Sequence, residues 1–329
     1  MSKFNNQTIF SDAIQSANAF LVSQLEKLDA KLYDPLVRIS YAQDVPMRTG
    51  GGWNDVLSYE ELDFGITEGN EGPISNAGTN AIPIIQSKLN KIIVGTHAYE
   101  VVMRHNWIDV QRAQLAGRPI EERDSRSLRT NYQTHLDQDC YMGFPRYNTR
   151  GLFNYPGVYA TTVDASGIDP VTAAASTLWK NKTPADIIVD ISTAISEVWG
   201  ASGYDDRAMP NHVLIPMGLF NFLASTQASG IAQMSLLSYI LANNPTTQNT
   251  GEPLVIRGVK WAAGAGVGGT DRMLVYRMDD DIMYKYEMVP LGRRQTAPLA
   301  SGVFESYYNA NIADLVVVYL STMGYFDGI

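Results

Sequence analysis

The chain has 329 residues, enough for about two domain-sized units or for one domain with insertions. Its 34 acidic and 25 basic residues leave a net charge of −9, which excludes a protein that coats nucleic acid through a basic surface. A single cysteine, Cys140, excludes an internal disulfide framework and a zinc site built from several thiolates.

The hydrophobic pattern predicts a soluble protein made in the cytoplasm. The longest aliphatic and aromatic run covers residues 315–320, far below the about 20 residues of a spanning helix, and no secretory signal opens the chain. Charged residues make up 18% of the chain and hydrophobic ones 45%. This composition fits either a large core or a subunit covered by copies of itself, because interface cores favour Tyr, Trp and Met over charge.

Residues 11–34 predict one amphipathic helix. Ser11 is a suitable N-cap, and Pro35 ends the helix because the residue before a proline avoids the α region. The apolar stripe consists of Ile14, Ala17, Leu21, Leu25, Leu28 and Leu32. The stripe packs either on its own domain or on a neighbouring subunit.

Residues 46–103 predict a long hairpin with a flexible tip. The glycine run at 50–52 leads into a segment without a helical stripe, residues 68–81 are rich in Gly and Asn, and the return arm intersperses Ile and Leu with polar residues. An isolated two-stranded ribbon is marginal in water, so this hairpin must lie on a support. It is also acidic: residues 49–87 contain no Lys or Arg. The carboxylates are Asp55, Glu60, Glu61, Asp63, Glu68 and Glu71.

Residues 107–143 return to a helical pattern. Pro119 suits a first-turn position, and Gly143 is the natural stop. A single narrow seam, which leaves most of the circumference to solvent or a partner, is formed by Leu128, Tyr132, Leu136 and Cys140. All bases from 104 to 150 are arginines, which favour fixed, bidentate ion pairs. They are Arg104, Arg112, Arg118, Arg123, Arg126, Arg129, Arg146 and Arg150.

The rest of the chain alternates helices and strands, so the predicted class is α+β. Residues 183–199 predict a helix with Thr183 as N-cap and Pro184 at its first position. Further helices are predicted at 217–224 and 234–242, and strands at 212–216, 254–261, 273–278, 282–289 and 313–320.

Two motifs that resemble ligand-binding sites are better explained as turns. Residues 264–269 match the spacing G-x-G-x-x-G, but the next segment is strand-like, whereas a dinucleotide site needs a helix there. Asp279, Asp280 and Asp281 lie between two strand-like runs, where acids are ordinary turn formers, and lack the spacing of a calcium loop.

The remaining candidates also point to structural roles. His97, His105, His135 and His212 are scattered without a zinc motif, and Cys140 belongs to the apolar seam as an inert thiol. No G-x-S-x-G nucleophile motif is present. We therefore expect no catalytic, cofactor-binding or metal site, and no enzyme.

Several segments occur in an informative order. GGGWNDVLSYEELDFG (residues 50–65) precedes the long helix, GLFNYPGVY (151–159) follows it, and the segments at 183–199 and 212–216 come next. This order resembles the major capsid proteins of tailed bacteriophages, the Hong Kong 97 type of fold, and most of all the branch with a G-L-x-N-x-P-G-V segment after the spine helix. The resemblance covers nearly the whole chain and is most specific from 50 to 223.

The resemblance implies a Hong Kong 97-like α+β fold with an N-arm, an extended loop (E-loop), a peripheral domain and an axial domain. The implied boundaries are 1–46 for the N-arm, 47–103 for the E-loop hairpin, 104–157 for the peripheral domain with its spine helix, 158–270 for the axial domain, and 271–329 for strands that complete both domains.

The implied function is structural. Copies of the chain would form hexamers and pentamers of an icosahedral shell around packaged double-stranded DNA, assembled in the host cytoplasm as the virion capsid. Other partners would be separate scaffold, portal and decoration proteins. DNA would be enclosed without sequence-specific binding, and neither a cofactor nor a membrane is implied.

In this family the extended loop lies across a neighbouring subunit, which would supply the hairpin's support. We therefore expect its carboxylates to dock on spine-region arginines of the next copy; the alternative is that both sets are solvated. The expected interface residues are Glu60, Glu61, Asp63, Glu68, Glu71, Arg123, Arg126 and Arg129.

Two departures from the family and two rival classes accompany this interpretation. Some relatives begin with a cleaved scaffolding segment, which is not expected here because the loop starts near residue 47 of a chain beginning with Met1. Some relatives cross-link a loop lysine, but Lys88 and Lys91 lie on the return arm, so no cross-link is expected.

The rivals are an encapsulin-like compartment that stores an enzyme, and an enzyme with an unrecognised site.

Overall fold

The computed structural model describes residues 36–66, 85–115, 120–228, 234–299 and 302–329. The chain divides into two compact units, Met1–Arg38 and Ile39–Ile329, and the fold below is that of the second unit. The helix predicted over residues 11–34, the tip of the hairpin, and Glu68 and Glu71 lie outside the described residues.

The first sheet contains the predicted hairpin. In the described part of the chain it has five strands in the order β1-β10-β11-β3-β2. They are β1 (Met47–Thr49), β2 (Val56–Ile66), β3 (Ile85–Asn106), β10 (Met283–Leu299) and β11 (Val303–Val317). β2 and β3 pair antiparallel, from Val56 opposite Gly95 to Ile66 opposite Ile85, which confirms the hairpin.

The second sheet has the order β4-β12-β9-β7-β8. Its strands are β4 (Tyr159–Thr162), β7 (His212–Pro216), β8 (Val255–Val259), β9 (Arg272–Tyr276) and β12 (Met323–Asp327), and the short β5 (Gly167–Ile168) and β6 (Ala175–Ser176) pair separately. Every residue of β9 and β12 is buried. Strands covered on both faces read as continuous apolar runs, which explains why β7 and β9 were predictable.

Most helices in the described part of the chain follow the sequence prediction, but the last of them, at 245–250, was not predicted. The helices are α1 (Trp107–Leu115), α2 (Ile120–Tyr141), α3 (Pro184–Ala201), α4 (Met217–Ser225), α5 (Leu236–Ala242) and α6 (Pro245–Thr250). α3 begins with the predicted cap, since the Thr183 hydroxyl accepts from the Asp186 amide while the Asp186 carboxylate accepts from the Thr183 amide. Its buried face belongs to one apolar cluster with β7 and β9.

The long helix α2, hereafter the spine helix, buries the predicted seam from Leu128 to Cys140. Its C-terminal end is enclosed more widely, because Asp137, Asp139 and Tyr141 are also fully buried. The expectation that most of the helix faces solvent or a partner is therefore wrong at this end. Asp137 accepts hydrogen bonds from the Ser40 amide at 2.8 Å and the Trp261 indole at 2.8 Å, so an acid that looks like a surface residue is satisfied inside.

The segment that begins with Gly151 caps the end of the spine helix. A Cβ at Gly151 would lie 2.5 Å from the Met142 nitrogen, so only glycine permits this close approach. The Leu152 amide then donates to the Cys140 carbonyl at 2.8 Å, and the Asn154 side chain donates to the Met142 carbonyl at 2.6 Å. These bonds satisfy carbonyls that a helix end leaves unpaired, which is the physical basis of the G-L-x-N pattern.

The predicted strands at 282–289 and 313–320 cover only parts of β10 and β11, and the second runs three residues past the end of β11 at Val317. β10 and β11 form a ribbon that continues through polar residues as far as Leu299 paired with Val303. Backbone hydrogen bonds between two long strands do not require apolar side chains. The apolar runs in the sequence therefore indicate only the buried half of the β10–β11 ribbon. β12 was not predicted as a strand, because its five residues follow the predicted β11 run after a short turn.

Candidate assembly interface

The hairpin formed by residues 56–95 has two unequal faces. Directly opposite residues of antiparallel strands share a face, and neighbours along a strand alternate between faces. The register therefore places Val56, Ser58, Glu60 and Leu62 on one face together with Gly95, Ile93, Lys91 and Leu89. All eight of these residues are exposed, and we call this side the outer face.

Four large apolar side chains form a row on the outer face. Val56 is 54% exposed, Leu62 64%, Leu89 66% and Ile93 64%. Single exposed apolar residues are ordinary on a protein surface, but four on one face, interrupted by the Glu60–Lys91 pair, favour a contact with another molecule.

The opposite face, which we call the inner face, is partly covered by the subunit itself. Leu57, Tyr59, Ile92 and Val94 are half-buried there. Burial, with smaller contributions from nearby Tyr155 and Tyr284, raises the pKa of Tyr59 to about 12. Within residues 56–62 and 87–95, the hairpin therefore rests on its own chain through one face and leaves the other exposed.

The strand alternation separates the predicted interface carboxylates. Glu60 lies on the outer face, whereas Glu61 lies on the inner face and is only partly exposed. The register also sets Glu60 opposite Lys91 and Asp63 opposite Lys88. Glu60 thus has a cation directly across its own ladder, which reduces the unbalanced charge that the sequence alone indicated.

Arg123, Arg126 and Arg129 lie on exposed positions of the spine helix. Arg123 Nε contacts Asp124 Oδ1 at 2.9 Å. Arg129 and Arg293 line a groove of about 370 Å³ between the spine helix and the β10–β11 ribbon. A contact between these arginines and the hairpin carboxylates of another copy stays a prediction.

The acidic run at 279–281 has a structural role. Arg48 of β1 donates to Asp280 from Nε at 2.8 Å and from Nη2 to its carbonyl at 2.6 Å, which ties this turn to the start of the hairpin segment. Among the described residues, no group of three or more His, Cys, Asp or Glu is arranged to hold a metal ion.

The glycine-rich segment and the single cysteine also have structural roles. Residues 264–269 form a turn between β8 and β9, and the segment that follows is the predicted strand. The Cys140 thiol is fully buried, and burial raises its pKa to about 12, so it is not a reactive nucleophile at neutral pH. In the described part of the chain, no helix is long and apolar enough to cross a membrane.

Sequence reasoning missed the residues that fix the start of the hairpin segment. Asp44 is fully buried, contacts Arg257 at 3.0 Å and accepts a hydrogen bond from Tyr141. Its backbone carbonyl also accepts from the Tyr276 hydroxyl at 2.8 Å. Nothing in the local pattern around Asp44 signals this role, because its partners come from three distant segments.

Comparisons with known proteins agree with this architecture. A family model described as Major capsid protein matches residues 72–329, and no curated protein matches the sequence. The capsid of Myoviridae phage XM1 is similar in structure, with a TM-score of 0.75 over 93% of this chain and 98% of that chain at 18% identity. The capsid of the native GTA particle has a TM-score of 0.62 over 92% and 94% at 10% identity.

An encapsulin is also similar, though less so. The holo-SrpI encapsulin of Synechococcus elongatus PCC 7942 has a TM-score of 0.52 over 94% of this chain and 95% of that chain at 10% identity. At such identities a structural likeness establishes the fold alone, so the family rests on the sequence match over residues 72–329. That match covers well over half of the chain: it belongs to the major capsid protein family, and its fold is the Hong Kong 97 type of tailed-phage capsids.

Proposed function

We propose that copies of this chain assemble into the hexamers and pentamers of a closed icosahedral shell around packaged double-stranded DNA. The observation that carries the proposal is the exposed apolar row on the outer face of the hairpin. Apolar surface of this kind gains free energy when another molecule removes it from water. Because the family builds shells from one repeated chain, the covering molecule is a second copy.

The proposed domain organisation follows the two sheets. The hairpin and the spine helix, within 47–103 and 104–157, belong with the first sheet as E-loop and peripheral domain. Most of 158–270 belongs with the second sheet as the axial domain, and 271–329 supplies strands to both, in keeping with β9 and β12 in one sheet and β10 and β11 in the other. The N-arm would be 1–46.

We further propose that the hairpin carboxylates contact arginines on the spine helix of the adjacent copy. Each exposed ion pair is worth only about 0.2–1 kcal/mol, so these contacts set the register of the interface while apolar burial supplies most of the affinity. Arg129 is the arginine to test first, because it is exposed and lines a groove together with Arg293.

Reversal of single charges tests this contact with a matched control. Glu60→Lys should reduce assembly, and Arg129→Glu in the same chain should restore part of it. Glu61→Lys makes the same charge change on the inner face and should have the smaller effect. Equal effects of the two glutamate variants would contradict a contact made by the outer face.

The remaining partners are proposed from the family. Separate scaffold, portal and decoration proteins would act on the shell, and a net charge of −9 favours enclosure of DNA without tight binding to it. The role of the chain is structural rather than catalytic. Assembly in the host cytoplasm precedes its final place in the virion.

An encapsulin-like compartment is the second candidate, supported by the SrpI likeness. Electron microscopy of purified particles separates the candidates. The capsid proposal predicts large shells that contain DNA when produced with the packaging proteins. Small shells filled with a cargo enzyme would favour the encapsulin, and a chain that forms no particles under any assembly condition would overturn both.

A further inference from the structure

Strand β3 takes part in two different ladders. From Ile85 to Gly95 it pairs with β2 of the hairpin, and from Thr96 to Asn106 it pairs with β11 of the body of the sheet. The change of partner falls between Gly95 and Thr96. This is the point at which the hairpin leaves the rest of the subunit, and we call it the junction.

Besides the two ladders, side-chain hydrogen bonds hold the backbone at the junction, among them those from Asn311 Nδ2 to the Gly52 and Asn54 carbonyls at 3.3 and 3.2 Å. Thr96 donates from Oγ1 to the Asn54 carbonyl at 2.8 Å, and from its amide to the Asp55 carbonyl at 3.3 Å. Gly95 is exposed, and no atom lies within 4 Å of the position that a Cβ would take. The inclination of the hairpin is therefore not fixed by close packing around Gly95.

A buried charge cluster lies next to the junction. His97 Nε2 is 3.4 Å from Asp139 Oδ2 on the spine helix, and His97 Nδ1 is 3.7 Å from Asp314 Oδ1 on β11. Lys285 of β10 places its Nζ 2.6 Å from the same Asp139 oxygen. The side chains of Asp139 and Lys285 are 0% exposed, and that of His97 is 17% exposed.

The balance of charge in this cluster depends on His97. Two carboxylates and one ammonium leave one negative charge in excess, and a protonated imidazole cancels it. An uncompensated charge is costly in a buried site. Among the residues that the structure describes, the other titratable groups nearby are His135, whose ring centroid is 6.3 Å from that of His97, and the inert Cys140.

The pKa values agree with this balance. Burial alone would lower the pKa of His97, but its contacts with Asp139 and Asp314 outweigh burial and raise the pKa to about 9. Burial lowers the pKa of His135, which keeps that ring neutral. Although burial would raise the pKa of Asp139, Lys285 and His97 hold it below its ordinary value.

We propose that protonated His97 locks the junction: it joins the strand that carries the hairpin to the spine helix and to β11, and loss of its proton frees the inclination of the hairpin. The lock is a property of the single subunit, so it does not depend on the proposed shell. In a shell, it would set the angle at which each hairpin meets the next copy.

A second histidine provides the control. His105 Nδ1 lies 3.3 Å from Asp124 Oδ2, near the other end of the spine helix. His97 and His105 are eight residues apart along β3, about 26 Å. Their partners Asp139 and Asp124 are fifteen residues apart along the spine helix, about 22 Å. The two lengths are similar, so β3 and the helix run side by side between the two contacts. His105 makes the same type of contact, but away from the junction.

Spin-label distance measurements can test the lock. Labels at Ser58→Cys on the hairpin and Ser127→Cys on the spine helix report the inclination, and buried Cys140 should not react. In full-length chain, diluted with unlabelled chain if shells form, the distance distribution should be narrow at pH 7. It should broaden or shift with a midpoint near pH 9, the pKa of His97.

Three variants decide the interpretation. His97→Gln should give the high-pH distribution at every pH, and His105→Gln should behave like the parent chain. Asp314→Asn removes the excess negative charge while keeping His97, so its midpoint should fall by at least about one pH unit, a tenfold change in proton affinity. A distribution in His97→Gln that matches the parent from pH 7 to pH 10, or an unmoved midpoint in Asp314→Asn, would overturn the lock.

Discussion

The hairpin and the second sheet use the same residue types in opposite environments. Ile191 and Ile195 of α3 are 1% and 0% exposed against the second sheet, whereas Ile93 of the hairpin is 64% exposed. The first two stabilise the subunit by leaving water on folding. The third gains nothing comparable within its own chain, so we expect its apolar surface to serve a contact that the subunit alone does not make.

The largest effect should follow from truncation in the second-sheet region. Ile191→Ala removes buried methyl and methylene groups and leaves a cavity, which should lower the free energy of unfolding by about 2–5 kcal/mol. Urea denaturation of the unassembled chain measures this. A loss below about 1 kcal/mol would show that the region is not the rigid core described here.

The pH dependence of stability should differ between the two regions. The folded-state pKa of His97, about 9, lies above the ordinary value of about 6.5. Its contribution is therefore fully present below pH 6.5 and is lost as pH rises through 9. The difference corresponds to at most about 3 kcal/mol.

His212 at the start of β7 has the opposite sign. Burial, together with Arg257 and Arg277, lowers its pKa to about 4, so the neutral ring is favoured in the fold. Its contribution is present above pH 6.5 and is lost as pH falls towards 4. Urea titrations from pH 4 to pH 10 measure the free energy of unfolding at each pH. His97→Gln should reduce its dependence on pH on the alkaline side, and His212→Asn should reduce it on the acid side. Exchange of these two assignments would contradict the account.

The smallest effect on the subunit should come from the matched truncation on the hairpin. Ile93→Ala should change the free energy of unfolding by no more than about 0.5 kcal/mol, because the side chain is already in water. The same variant should nevertheless reduce shell formation, measured by light scattering or electron microscopy. Normal shells from Ile93→Ala together with Leu89→Ala would show that the outer face is not an interface.

The second-sheet region could be predicted from sequence because its signals are local. Thr183 and Pro184 mark the start of α3, and isoleucines at helical spacing mark its buried face. β7 is a short apolar run bounded by turn residues. Each of these features depends on neighbours within one or two turns of chain.

The sequence predicts the two strands of the hairpin, but not which of their residues lie on the outer face and which on the inner face. Composition alone groups the six carboxylates into one acidic segment, although adjacent residues of a strand point to opposite sides. Register decides which side is which, and a slip of one residue would exchange them. The pairing of Glu60 with Lys91 thus required the structure.

The charge cluster could not be predicted at all. His97, Asp139, Lys285 and Asp314 come from four elements that are distant in sequence, and none belongs to a recognisable motif. Lys285 and Asp139 each look like surface residues, because charged side chains are rarely fully buried unless they are paired. Only the packing of the spine helix on β3, β10 and β11 brings them together.

Hydrogen exchange of residues 85–95 in free subunits and in assembled particles tests the central claim most directly. In the free subunit this arm of a two-stranded ribbon should exchange quickly, and in the particle it should slow by more than about tenfold as a second copy covers the outer face. Residues 212–216 of β7, already buried, should exchange slowly in both states. Equal protection of 85–95 in the two states would contradict the claim that the hairpin is completed by a neighbouring copy.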